Sequence, residues 1–222
     1  MDDSIQNACA EVQEIADRSG VGFIDVGESI ERRLMAQIIR QLRPTKVLEI
    51  GTFLGWTSAA IGLLLKQTHE SDGFHLTSVD VIDVDSPVNG YWKNLGYIHS
   101  PSVLFGRLGL DRNIELVQAD SAEYLATTED TFDFIFIDGH HGADSVYRDI
   151  VLSSKRLKAG GVIALHDYDP PEVWFRKPFM AGPFFAVRRI LAANPELKLI
   201  DARLNSDGNV VRSSCIAILS AK

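Results

Sequence analysis

The segment FDFIFIDGHH (Phe132–His141) settles what kind of sheet this chain builds. From Phe132 to Ile137 every residue except Asp133 is apolar, so both faces of an extended chain would be greasy. That is the pattern of a strand covered by helices on both sides, as in a parallel sheet. Asp138 and the pair His140-His141 then put a carboxylate and two imidazoles at the strand's carboxyl end.

Similar runs flank it. KVLEI (Lys46–Ile50), LTSVD (Leu76–Asp80) and IELVQAD (Ile114–Asp120) precede it, and GVIALHD (Gly161–Asp167) follows. Helical patterns alternate with these strands. Ile30, Leu34, Ile38, Ile39 and Leu42 mark an amphipathic helix over Asp25–Leu42 that Pro44 stops. A second is expected over Trp56–Lys66, and a third in SAEYLATTED with Ser121 as its cap. A fourth buries Val146, Ile150, Val151 and Leu157 and ends at Ala159-Gly160-Gly161. Between Val81 and Asn113 the periodicity is poor, which suggests a helix with an insertion. Beyond a loop with four prolines, a helix over Phe184–Asn194 leads to LKLIDARL and VVRSSCIAIL, which flank a turn at Asn205–Asn209.

The expected fold is therefore α/β: a Rossmann-like, doubly wound, seven-stranded sheet, mostly parallel, with a C-terminal antiparallel hairpin. At 222 residues the chain suits a single domain, with a helical lead-in over residues 1–44 and a ligand-binding core over 45–222. No internal repeat or long linker divides it.

Thirty acidic against 22 basic residues give a net charge of -8, which argues against a grip on nucleic acid. A small neutral or cationic ligand fits that balance better. The two cysteines, Cys9 and Cys215, lie far apart in no disulfide or metal spacing, which suits a reducing cytoplasm. The amino end has no basic start or apolar centre of a secretory signal, and the longest apolar run, AAIGLLL (Ala59–Leu65), is far short of the ~20 residues that span a bilayer.

In open α/β sheets ligands bind outside the carboxyl ends of the strands. Those ends carry Glu49 and Gly51, then Asp80, Asp120, Asp138 and Asp167. Each acid alone could serve as a helix cap, but the ordered set lines one rim. The first loop, EIGTFLGW, has glycines at Gly51 and Gly55 but not the G-x-G-x-x-G spacing that cradles a dinucleotide pyrophosphate. Asp80 suits a ribose diol, and Glu49 suits a cationic ligand better than a phosphate.

With these pieces, VLEIGTFLGW, SVD, QADS, FDFIFIDGHH, LKAGGVIALHD and the terminal hairpin, the chain resembles the class I S-adenosylmethionine-dependent methyltransferases over roughly Lys46 to Leu219. The resemblance implies that Glu49, Gly51, Thr52 and Gly55 lie against the methionine part of S-adenosyl-L-methionine. It implies Asp80 at the ribose, Asp120 and Ser121 at the adenine, and Asp138 beside the cofactor.

IDGHH followed by a helix, GG and HDYD is similar to small-molecule O-methyltransferases of the sugar and antibiotic-tailoring type. This implies a small-molecule acceptor and a divalent metal, Mg, Mn or similar, at Asp138, His166 and Asp167. The imidazole of His166 is a softer ligand that favours Mn, Fe or Zn over Mg. The donor methyl is already activated, so the protein supplies alignment and a deprotonated acceptor. His141, read as the start of a helix whose dipole keeps the imidazole neutral, is the expected base, with Asp138 beside it, while His140 belongs to the scaffold.

Asp169-Pro170-Pro171-Glu172 is similar to the D-P-P-aromatic motif of amino-methyltransferases, but it follows the fifth strand rather than the fourth and lacks the aromatic residue. N-methylation, a nicotinamide-dependent oxidoreductase and a non-catalytic binder are the alternatives. Aromatics in the segments from Pro87 to Phe105 and from Tyr168 to Phe185 suit either an acceptor pocket or a dimer contact, and a homodimer is the expected assembly.

Overall fold

Strand β4 (Phe132–Ile137) lies at the middle of the sheet and shows why its sequence is apolar on both faces. Phe134 and Phe136 pack into one core with helices α1 (Ile30–Leu42) and α2 (Trp56–His69). Ile135 and Ile137 pack into a second core with α6 (Ala143–Arg156) and α7 (Gly182–Ala193). The period of two in a strand thus feeds two helical layers at once. The computed structural model describes residues 30–69, 73–168, 179–194, 197–200, 205–206, 209–210 and 217–221, with isolated helical positions between 7 and 18. Most of the lead-in before residue 30, and Asp169–Glu172, lie outside the described residues.

The remaining strands are β1 (Lys46–Ile50), β2 (His75–Asp80), β3 (Ile114–Gln118), β5 (Leu157–Leu165), β6 (Leu197–Ile200) and β7 (Ala217–Ala221). Their order across the sheet is β3-β2-β1-β4-β5-β7-β6. The first five are parallel, and β7 is antiparallel to both β5 and β6. This is the expected seven-stranded sheet with an antiparallel end. A two-residue ladder, Asn205 with Val210 and Ser206 with Asn209, lies apart from it at the expected turn. The connection from β1 goes outward to β2 and the chain later returns to β4 on β1's other side, so the switch in strand order lies between β1 and β4.

Three local expectations change. The cap of α5 (Ser121–Thr127) is Asp120, not Ser121: its carboxylate accepts from the Ala122 and Glu123 amides, which a hydroxyl one residue later is too far along to do. Strand β5 opens at Leu157 rather than Gly161. Leu157 pairs with Phe132, the chain bulges through Gly160 at φ +78, and pairing resumes with Val162 opposite Phe134. The irregular region after β2 contains two short helices, α3 (Tyr91–Asn94) and α4 (Pro101–Arg107), rather than one interrupted helix.

Candidate active site

At the switch point the ends of β1 and β4 nearly touch. Gly51 has φ +97, and a Cβ added there would sit 2.3 Å from the Asp138 carbonyl oxygen. Glycine is needed to close the two strands around one site. The next two amides, of Thr52 and Phe53, donate to Asp80 Oδ2 at 3.1 and 3.0 Å, and the Ile82 amide donates to Oδ1 at 3.0 Å. Asp80 therefore ties the first loop to β2. Phe53 is held in the left-handed region at φ 51, which is strained for a bulky residue. Gly55 has a packing reason: an added Cβ would lie 3.0 Å from both Phe105 and Pro101 of α4.

Glu49 lies behind the loop rather than in it. Along β1 it alternates with Leu48 and Ile50, so it faces the α2 layer, fully buried. Its Oε2 accepts from the hydroxyls of Ser58 and Ser78, and Thr52 Oγ1 meets Ser78 Oγ at 2.7 Å. Oε1 is buried with no hydrogen-bond partner among the described residues. Burial pushes the Glu49 carboxyl up to about 8, against the two serine hydrogen bonds and with the charges of Asp138 and Asp80 adding to it. At neutral pH this acid is protonated.

Above the loop a cleft of about 660 Å³ runs along the strand ends. Of the residues expected to bind a cofactor, Gly51, Asp80, Asp120, Ser121 and Asp138 line it, whereas Glu49, Thr52 and Gly55 support it from beneath. Phe53 and Tyr91 stand together at its mouth, with ring centroids 4.9 Å apart. At the β3 side Asp120 faces Arg148 Nη2 at 3.4 Å, and Ser121 Oγ donates to Asp149 Oδ1 at 2.7 Å. Burial raises the Asp149 carboxyl to about 6, against the Ser121 hydrogen bond and the Arg148 charge.

The ends of β4 and β5 supply a polar cluster. His141 Nε2 lies 3.7 Å from Asp138 Oδ1 and 3.4 Å from Asp167 Oδ2. His166 Nδ1 lies 3.4 Å from Asp138 Oδ1 and 3.3 Å from Asp167 Oδ1. All four residues expected for catalysis or metal binding are thus in one place. One donor atom from each of Asp138, His141 and Asp167 falls within 4.8 Å of the others, a spacing that fits a divalent cation. Mixed carboxylate and imidazole donors suit Mn, Fe or Zn. Asp167 is in the left-handed region at φ 56, which turns its carboxylate back towards the imidazoles.

His141 does not open a helix, and no helix dipole holds its imidazole neutral. Helix α6 begins at Ala143 with Gly142 as its cap, so His141 precedes the helix. Its pKa is raised first by the Asp138 carboxylate beside it, with burial opposing and the Asp167 charge adding to the rise. Burial would raise Asp138 in turn, but the imidazoles of His141 and His166 beside it outweigh burial and hold the carboxyl below its ordinary value. His140 also lines the cleft: its Nδ1 accepts from the Gly142 amide at 3.2 Å, and its ring meets Phe179 edge-on at 4.8 Å.

Sequence patterns missed Asp149, Arg148 and Gly182. The first two sit on an ordinary helix with no motif around them. Gly182 opens α7 before Pro183, a legible helix start, but its contact is remote in sequence: an added Cβ would sit 1.8 Å from the His141 carbonyl oxygen. Gly182→Ala is expected to lower stability by about 1–3 kcal/mol through overpacking and to displace His141, lowering turnover. Urea denaturation and initial rates check this; wild-type values in both would show that the contact relaxes without consequence.

A family model described as methyltransferase domain matches residues 48–168. Among curated relatives, the O-methyltransferase hkm8 of Aspergillus hancockii is 29% identical over 125 residues, which cover 56% of this chain and 43% of that protein. The probable caffeoyl-CoA O-methyltransferase 3 of Dictyostelium discoideum is 24% identical over 201 residues, covering 82% of this chain and 69% of that protein. The chain thus spans less than half of the first relative's length. Among solved structures, the O-methyltransferase from Bacillus cereus in complex with SAH has a TM-score of 0.64 at 16% identity, covering 97% of this chain and 91% of that one. That likeness concerns the fold.

Proposed function

The chain belongs to the methyltransferase domain family, and from that premise we propose that it moves a methyl group from S-adenosyl-L-methionine to a hydroxyl oxygen of a small molecule. The observation that carries this reading is His141 Nε2 poised between Asp138 and Asp167 at the end of a cleft lined by strand-ending acids. The cofactor supplies an activated methyl group; its carbon–sulfur bond breaks as the carbon–oxygen bond forms. What the chain must supply is alignment and removal of the hydroxyl proton.

His141 Nε2 takes that proton, and the two carboxylates stabilise the imidazolium that results. Asp138, Asp167 and His166, whose Nδ1 lies 3.4 and 3.3 Å from the two carboxylates, would hold a divalent cation that would lower the pKa of a bound hydroxyl. One nitrogen cannot both bind a cation and accept a proton, so His141 is assigned to the proton. Asp80 and the Asp120–Ser121 pair are assigned to the ribose and adenine, with Glu49, Thr52 and Gly55 shaping the loop beneath. The acidic rim and the absence of a phosphate-binding glycine pattern disfavour a nicotinamide cofactor.

The smaller readings follow from the same chemistry. The acceptor is a small molecule whose hydroxyl reaches His141 at the β4 end of the cleft. We further propose a single-domain, cytoplasmic homodimer without nucleic-acid or membrane partners. Among the described residues, no helix is long and apolar enough to cross a membrane.

Calorimetric titration with S-adenosylmethionine, S-adenosylhomocysteine and NAD tests the core of this. Both sulfur nucleosides are expected to bind; binding of NAD alone would sink the proposal. Treatment with a chelator is expected to lower turnover and Mn to restore it. The His141→Ala protein should keep its bound Mn by elemental analysis, and loss of the metal there would reassign His141 as a ligand.

A further inference from the structure

At the β3 side of the cleft one hydroxyl has its direction fixed from behind. Ser121, the first residue of α5, lines the cleft and donates its single proton to Asp149 Oδ1 at 2.7 Å. Asp149 projects from α6 and is 2% exposed, so this hydrogen bond is shielded from competing water. A serine hydroxyl has one proton and two lone pairs. With the proton committed inward, Ser121 offers a ligand only an acceptor.

The neighbouring carboxylates have the same polarity. Asp120 Oδ1 is occupied by the Ala122 and Glu123 amides, and its Oδ2 is turned towards the Arg148 guanidinium at 3.4 Å. Arg148, a half-exposed side-chain donor, is turned towards Asp120, and Ser145 lines the cleft one turn earlier on α6. Asp120, Ser121 and Asp149 together present acceptors to whatever occupies this end. A nucleobase with an exocyclic amino group complements that wall. One with a carbonyl oxygen in the same position would set acceptor against acceptor.

We propose that Asp149 is a positioning residue that fixes the Ser121 hydroxyl as a hydrogen-bond acceptor and so selects a 6-aminopurine nucleoside over its 6-oxo counterpart. This rests on the assignment of the cleft to an S-adenosyl nucleoside. Asp149 touches no reacting atom; it acts through Ser121.

The test is the ratio of affinities for S-adenosylhomocysteine and S-inosylhomocysteine, measured by calorimetry on the full chain. The wild-type protein is expected to prefer the adenosyl compound by about 100-fold, the discrimination that one unsatisfied buried polar group imposes. Asp149→Ala frees the hydroxyl to turn and donate, and the preference should collapse to less than about tenfold. Asp149→Asn retains a carbonyl oxygen that accepts from Ser121 and should keep most of the preference. Ser121→Ala removes the wall's central acceptor and should also narrow the ratio, which gives a second variant if Asp149→Ala does not fold. Unchanged ratios in Ser121→Ala and in any folded Asp149→Ala protein, with affinity for both nucleosides falling equally, would overturn the inference alone. Failure of the wild-type chain to bind either nucleoside would overturn the cofactor assignment and the inference with it.

Discussion

Replacing His141 by Ala lowers methyl transfer to a hydroxyl acceptor by about 10²–10⁴-fold, the range in which a positioned proton acceptor contributes, while affinity for S-adenosylhomocysteine stays nearly unchanged. The split follows from where the side chain sits. His141 faces Asp138 and Asp167 at the β4 and β5 ends, whereas the acceptor wall for a nucleoside lies at the β3 side. The base role fixes the sign of the pH dependence: only the neutral imidazole accepts a proton, so turnover should rise with pH as His141 loses its own. The two carboxylates raise the imidazole pKa while no cation lies between them, and a cation held there would offset that rise. Rates across pH for wild-type and His141→Ala proteins check both points, and equal turnover in the two would remove His141 as the base.

The sheet was legible because its signal is local. Period and polarity along each strand are set by residues within a few positions, and the apolar FIFI run could satisfy only a doubly covered strand. Strand ends and their acids followed from the same reading. What a side chain does at its strand end was less legible, because alternation along β1 turns Glu49 into the helical layer, and β1 stops at Ile50 so that Gly51 leaves the strand and lines the cleft. The site's support was hidden for a further reason. Asp149 meets Ser121 across 28 positions, and Gly182 meets His141 across a connection with no regular spacing. His141 itself was legible as a residue but not in its protonation. Its charge depends on Asp138 first, and then on Asp167, which approaches from a different strand.

Glu49 sets the second large effect, on stability rather than rate. Its carboxyl is fully buried and titrates at about 8 instead of the ordinary 4.5, so the folded chain keeps a proton that the unfolded chain releases over that interval. The folded pKa is raised, and the sign follows: the stabilisation is complete below about 4.5 and is lost as pH rises towards 8. At about 1.4 kcal/mol per pH unit, the whole interval amounts to about 5 kcal/mol. Asp149, raised to about 6, acts in the same direction but finishes at lower pH. Comparing wild-type with Glu49→Gln isolates Glu49, because every other group titrates in both proteins. The amide oxygen of Gln still accepts from Ser58 and Ser78 and carries no charge at any pH. The two proteins should have similar stability near pH 4.5, and the Gln variant should be the more stable by several kcal/mol near pH 8.5. Urea denaturation at intervals between these limits measures the gap. Parallel profiles would mean that Glu49 ionises freely in the folded chain, and that the hydroxyl pocket formed by Ser58 and Ser78 accommodates a charge.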